Sequence, residues 1–200
     1  MIKARHIAWV TLFFKIYITR KMKNNFHEIV VEGDMPKKDK SVLMIGNHVG
    51  WWDGFWVFYL CFKYIHKNFF FMMDEKELLK RKIFTKTGGF SIQRASRSVI
   101  ETLDYVSELL RNPQHLVLMF PQGKLFSLYS DEIKFEKGIN RIRLDENSSV
   151  FLMVQMIEYL QHPKPTSFLY LKEVDTLENI ELQYNEFYKQ CLSKHRSVSI

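Results

Sequence analysis

"SVLMIGNHVGWWDGFW", residues 41–56, holds two unlike patterns separated by a turn. Val42, Leu43, Met44 and Ile45 form a short unbroken apolar run, the mark of a strand covered on both faces. From about Asp53 the chain reads as a helix, "DGFWVFYLCFKYIHK", with Asp53 near its N-cap. Gly46 and Gly50 flank Asn47-His48 and permit a tight turn. The turn places His48 just past a strand end, five positions before Asp53. If the chain folds back, Asp53 accepts a hydrogen bond from His48 Nδ1, fixes the tautomer and leaves Nε2 free to take a proton from a hydroxyl. The other reading is a core histidine beside an unrelated surface acid. Taken alone, His-x4-Asp does not decide between them.

The same alternation continues on both sides. "FHEIVVEGDMP" (26–36) is a strand that ends in a turn. "NFFFMM" (68–73) is a strand and "DEKELLKRKIF" (74–84) a helix. "TKTGGFSIQR" (85–94) reads as a loop leading into the helix "ASRSVIETLDYVSELLRN" (95–112). "HLVLMF" (115–120) is a buried strand that runs into "PQGK". "KFEKGINRIRL" (134–144) can begin a helix, "SVFLMVQMIEYL" (149–160) is a strand region, and an amphipathic helix spans roughly 175–194. Strands alternating with helices predict an α/β fold, a mixed, largely parallel sheet flanked by helices. In such sheets sites form beyond the carboxyl ends of strands, and both His48 and the PQGK segment follow short buried strands.

The length of 200 residues fits one domain, here residues 23–200, preceded by an N-terminal helix over 1–22. In that helix an apolar stretch runs from Ile7 to Ile18 and includes Lys15, which is too short to span a bilayer. No small-residue cleavage site follows it, as a signal peptide requires. Trp9, Val10, Leu12, Phe13, Phe14, Ile16 and Tyr17 cover most of the surface, with Arg20, Lys21 and Lys23 at the end. That pattern suits an amphipathic helix lying in the membrane interface, peripheral or monotopic. A core helix whose Lys15 snorkels out is the alternative.

The net charge of +7 concerns partners rather than fold. Residues 1–40 hold nine Lys/Arg against four Asp/Glu, and residues 63–97 nine against three, so the positive field belongs to the front half. It accompanies wide apolar faces and no nucleic-acid-binding motif, which excludes nucleic acid and favours an anionic membrane surface or an acidic carrier. Cys61 and Cys191 show no CxxC spacing and read as reduced thiols in a cytoplasmic setting. His66, His115, His162 and His195 form no ligand set, so neither metal nor cofactor is expected.

Four segments, in order, resemble the glycerophospholipid (lysophosphatidic acid-type) acyltransferase family. "GNHVGWWDGFW" is similar to its Asn-His-x4-Asp block. "KTGGFSIQR" is similar to its second block, ending in Arg94. "LMFPQGK" resembles the third, Phe-Pro-Glu-Gly-Thr-Arg-Ser, and "KFEKGINRI" the basic-Phe-x-Lys-Gly segment after it. The resemblance covers roughly residues 20–190. It implies a membrane-associated O-acyltransferase on the cytoplasmic face. His48 is then the general base oriented by Asp53, and acyl passes from acyl-CoA or acyl-carrier protein to the hydroxyl of a lipid acceptor such as a 1-acylglycerol 3-phosphate. It also implies a substrate-binding set of Arg94, Phe120, Pro121, Gln122, Gly123 and Lys124, with Trp51 and Trp52 contacting acyl chain or membrane. The oxyanion donor is expected among the backbone amides around Gly123. No Gly-x-Ser-x-Gly elbow is present, and none is needed.

The third block departs from the family. Gln122 stands for the glutamate, and Lys124-Leu125 for Thr-Arg. The family's arginine there is associated with the acceptor phosphate, a role Leu125 cannot fill. A non-phosphate acceptor (an amino-acid lipid, a glycolipid or a pigment alcohol) and a non-catalytic lipid-binding homologue are therefore the alternatives. "FLMVQMIEY" fits the fourth block, a hydrophobic strand with a proline, only loosely.

Overall fold

The structure, a computed structural model, describes residues 1–93, 98–128 and 130–197. Among them the chain runs α1 (Ala8–Asn25), β1 (Ile29–Gly33), β2 (Ser41–Gly46), α2 (Asp53–Leu60), a π turn (Cys61–Ile65), β3 (Asn68–Asp74) and α3 (Glu75–Lys80). A 3-10 turn (Lys82–Thr87), β4 (Gly89–Ile92), α4 (Ser98–Leu110), β5 (His115–Met119), a 3-10 turn (Ile139–Arg141), β6 (Ser148–Glu158), β7 (Thr166–Val174) and α5 (Ile180–Arg196) follow.

The seven described strands form one sheet in the order β1-β7-β6-β2-β5-β3-β4. β6, β2, β5, β3 and β4 run parallel, while β7 is antiparallel to β6 and carries β1 parallel to itself. The mixed, largely parallel α/β architecture expected from the alternation is the one found. β2 lies between β5 and β6, and residues Ser41 to Gly46 are all buried. That position is why its sequence is apolar without a break.

Successive strand residues face opposite layers. Val42, Met44, Leu116, Leu118, Phe151 and Met153 pack under α1 and α2. Leu43, Ile45, Val117, Met119, Leu152 and Val154 pack against α4 and α5. Two dense cores, one on each face, hold the rim formed by β2, β5 and β6.

Three local expectations are corrected. Residues Gly89–Ile92, read as loop, form the edge strand β4. Glycines normally argue against a strand, but here a Cβ on Gly88 would stand 1.9 Å from the Phe69 carbonyl, and one on Gly89 2.8 Å from that of Phe84. Close backbone approach explains Gly89, while Gly88, at φ +104°, also closes the preceding 3-10 turn, its N–H donating to the Phe84 carbonyl. Residues 134–144 form no helix beyond the single turn Ile139–Arg141, because Gly138 sits at φ +119° and breaks the backbone before it can propagate. β7, given no element by the sequence, pairs with β6 from Val150↔Val174 to Glu158↔Thr166.

α1 carries apolar residues on two sides, and one of them meets the core. Val10, Phe14, Ile18 and Met22, one helical turn apart, are buried in the core. Trp9, Leu12, Phe13 and Ile16, on the opposite side at 100° per residue, are exposed. Residues ahead of the helix are stitched to the 3-10 turn by Ile7 N to Lys86 O (3.0 Å) and Arg5 N to Thr85 O (2.7 Å), and to β4 by Ser91 N to Ile2 O (2.9 Å). Among the described residues, no helix is long and apolar enough to cross a membrane.

Candidate active site

The site lies where β2, β5 and β6 end. Gly46 closes β2 at a crowded spot: a Cβ there would meet Met153 Cε at 2.9 Å and Phe120 Cε1 at 3.1 Å, and those side chains would have to shift. Asn47, next in line, is fully buried and braces the turn against β6. Its Nδ2 donates to the Gln155 carbonyl at 3.0 Å and its Oδ1 accepts from the Gln155 N–H at 2.9 Å.

His48 then turns toward the start of α2. Its Nδ1 is 2.7 Å from Asp53 Oδ2, the distance of a charge-assisted hydrogen bond. The same oxygen accepts from the N–H groups of Val49 (2.7 Å) and Gly50 (3.0 Å), and Oδ1 accepts from Gln155 Nε2 at 2.5 Å. Asp53 is the first residue of α2 rather than its cap, since Trp52 occupies the N-cap. The positive end of the helix and three neutral donors keep a carboxylate that is wholly out of water. Because Oδ2 already accepts from two backbone N–H groups, the bond to His48 is donated by Nδ1–H. His48 Nε2 makes no hydrogen bond to the described residues.

The third block is clasped to this turn. The imidazole of His48 stacks on Phe120, with centroids 4.6 Å apart and planes 11° from parallel. Gln122 Oε1 accepts from the His48 N–H at 2.5 Å, and the His48 carbonyl accepts from the Phe126 N–H at 2.9 Å. Pro121 is buried, and its carbonyl accepts from the Glu136 N–H at 2.8 Å. The structure thus brings His48, Asp53, Phe120, Pro121 and Gln122 together, Asp53 and Gln122 by hydrogen bonds to His48 and Phe120 by its stacked ring. Gly123, at φ +66°, spends its N–H on the Phe120 carbonyl at 3.2 Å to close a turn, so that amide is not an idle oxyanion donor. Lys124 is exposed, with Nζ 5.2 Å over the Phe126 ring, while Leu125 rather than Lys124 lines the cavity described next. Arg94 lies outside the described residues.

A cavity of about 1190 Å³ opens against His48. Its walls are mainly apolar: Phe14 and Ile18 from α1, Phe55 and Phe58 from α2, Phe69 and Phe71 from β3. Phe13, Trp51, Ile83 and Leu125 also line it and are at the same time exposed, so its mouth has an apolar rim. Trp51 leans on Phe55 at 4.7 Å, whereas Trp52 is turned onto Phe26 at 5.4 Å and does not reach the cavity. The charged lining residues are Asp74, Glu77 and Glu136 with Lys80, Arg81 and Lys137. Glu77 already pairs with Lys80 at 2.7 Å and Arg81 at 2.5 Å.

Neither cysteine is poised as a nucleophile. Cys61 and Cys191 are buried, and burial pushes both thiols up to about 12. No three His, Cys, Asp or Glu side chains of the described residues are grouped to hold a metal ion. What the sequence did not single out is Gln155, whose polar side chain is hidden in a run of strand hydrophobics. The one signal available was its place as a lone polar residue in "FLMVQMI".

Comparisons agree with this architecture. The solved structures similar to the chain include the crystal structure of the 1-acyl-sn-glycerophosphate (LPA) acyltransferase, PlsC, from Thermotoga maritima. It matches with a TM-score of 0.62 at 17% identity, over 95% of this chain and 82% of that one, a likeness of fold. No curated protein matches the chain. Residues 28–156, from the start of the sheet through Gln155, match the family described as Acyltransferase, and the chain therefore belongs to the acyltransferase family.

Proposed function

We propose that this chain moves a fatty acyl group from a thioester, acyl-CoA or acyl-carrier protein, to a hydroxyl of a glycerophospholipid precursor. His48 is the general base. The acceptor hydroxyl gives its proton to His48 Nε2 as its oxygen attacks the thioester carbonyl. Asp53 holds the Nδ1 proton and stabilises the imidazolium that forms. The tetrahedral intermediate then collapses, the C–S bond breaks, and the imidazolium returns the proton to the departing thiolate. No acyl-enzyme is formed.

One observation carries the reading: an imidazole whose Nδ1 is bound to a buried carboxylate at 2.7 Å lines a large apolar cavity. A cavity of that volume and lining is of the size and chemistry that an acyl chain occupies. The exposed apolar rim and the outer face of α1 support a peripheral seat on a membrane. The positive front half of the chain fits an anionic cytoplasmic leaflet.

A second acceptor class is favoured by Leu125. It stands on the cavity wall where the family pattern has arginine, and among the described lining residues the cations Lys80 and Arg81 are already paired with Glu77. This reading is an acceptor without phosphate. Release of free thiol from acyl-CoA, followed with lysophosphatidate and with a total lipid extract in turn, tests both. Thiol release that needs the acceptor and vanishes in His48→Ala supports the enzyme. A folded protein that binds acyl chains but releases no thiol with any acceptor refutes turnover in favour of lipid binding.

A further inference from the structure

Asp53 accepts four hydrogen bonds, and three of them come from its own turn, all to Oδ2. The fourth comes from Gln155 on β6, 102 positions away, and is the one hydrogen bond the structure gives to Oδ1. A carboxylate held at one oxygen can pivot about it, because its terminal torsion is soft. Held at both, its plane is defined.

Gln155 is an unexpected residue at its position. The odd-numbered residues of β6 face α1 and α2, and Phe151, Met153 and Ile157 all pack there as hydrophobics. Gln155 interrupts the run and is fully buried. Its Oε1 is buried as well, with no hydrogen-bond partner among the described residues. A methionine would fill the same space without stranding a polar atom. What a methionine would lack is the Nε2 donor. The backbone of Gln155 is also tied at both polar groups to Asn47, the residue before His48. Its side chain and main chain therefore grip the two ends of one turn.

Resting on His48 as general base, we infer that Gln155 is a positioning residue. It fixes the plane of the Asp53 carboxylate so that Oδ2 stays in line with His48 Nδ1. It acts through Asp53 and does not touch the substrate.

The full-length protein tests it in two ways. In Gln155→Met, with folding checked by circular dichroism, kcat falls about ten- to hundredfold, the KM for acyl-CoA stays within about twofold, and the acidic limb of the pH–rate profile moves. A purely packing role would alter stability and leave that limb in place. A parent-like kcat and profile in folded Gln155→Met overturns the inference. The second test needs no variant. In the native protein the Gln155 side-chain amide signals, followed by NMR, should shift with the same pH midpoint as the His48 ring. Amide signals that stay flat through that titration overturn it also. Full activity in folded His48→Ala would instead sink the general-base reading, which separates the two failures.

Discussion

Gln122 Oε1 accepts a hydrogen bond from the backbone N–H of His48 at 2.5 Å, across 74 positions of sequence. Together with the bond from the Phe126 N–H to the His48 carbonyl, this contact ties the Phe-Pro-Gln-Gly turn to the histidine turn, with the Phe120 ring stacked beneath the imidazole. The acceptor oxygen that a glutamate would offer is thus retained, without its charge. Removing it in Gln122→Leu strands a buried N–H. We expect a loss of about 1–3 kcal/mol in urea unfolding, with kcat reduced as the two turns loosen. Unchanged unfolding would mean the clasp contributes nothing.

Asp53→Asn is expected to cost about 10²- to 10⁴-fold in kcat with little change in fold. An asparagine brings an NH2 group that must face either the Gln155 Nε2 donor or the protonated His48 Nδ1. Either way two donors oppose each other, or the histidine adopts the wrong tautomer. Steady-state kinetics on folded protein decide it, and activity within threefold of the parent speaks against Asp53 as the orienting group.

The two sides of α1 separate membrane binding from stability. Ile18 is 1% exposed, so Ile18→Ala should lower unfolding free energy by about 2–5 kcal/mol. Trp9, Leu12 and Ile16 are exposed, and the triple change to glutamate should leave stability nearly untouched while releasing the protein from anionic vesicles in a flotation assay. Removing residues 1–22 would confound the two effects, because it strips Val10, Phe14, Ile18 and Met22 from the core as well. Vesicle binding undiminished in the triple variant would exclude this face as the contact.

Three histidines make stability depend on pH in a definite direction. Burial lowers His6, His115 and His195 below the ordinary value of 6.5. His115 adds repulsion at His6, carbonyl groups of Phe69 and Leu109 pull the other way at His6 and His115, and Glu158 does so at His195. The folded state binds fewer protons than the unfolded chain in this range, so stability rises with pH there. It is full above about 6.5 and is lost as pH falls from that value toward the lower folded-state values. Thermal melts at pH 7.5, 6.5 and 5.5 should show the decline, and His115→Gln and His195→Gln should each flatten it.

Acceptor class can be read from two lysines. Lys137 lines the cavity and Lys124 does not. For a phosphorylated acceptor, Lys137→Ala should raise KM more than Lys124→Ala does. Equal and negligible effects would favour an acceptor without phosphate, and Leu125→Arg should then improve use of lysophosphatidate.

The linear sequence determined the strand-turn-helix around His48, the alternation that makes an α/β sheet, and the four ordered segments of the family. Each rests on neighbours a few positions apart, where apolar period, glycine placement and motif spacing are visible directly. It left β4 and β7 unassigned. β4 begins with a glycine that lies close against the Phe84 carbonyl, so its sequence looks like a loop, and β7 carries Lys172 and Glu173 near its end, so its pattern is weak without β6 and β1 beside it. Only the tertiary structure decided that α1 has two apolar sides with different neighbours, because a helix sequence does not say which side meets the core. The same holds for the fourth hydrogen bond to Asp53. Gln155 reads as one polar residue in a hydrophobic strand until the sheet places β6 beside β2, and the pleat turns that side chain toward the carboxylate.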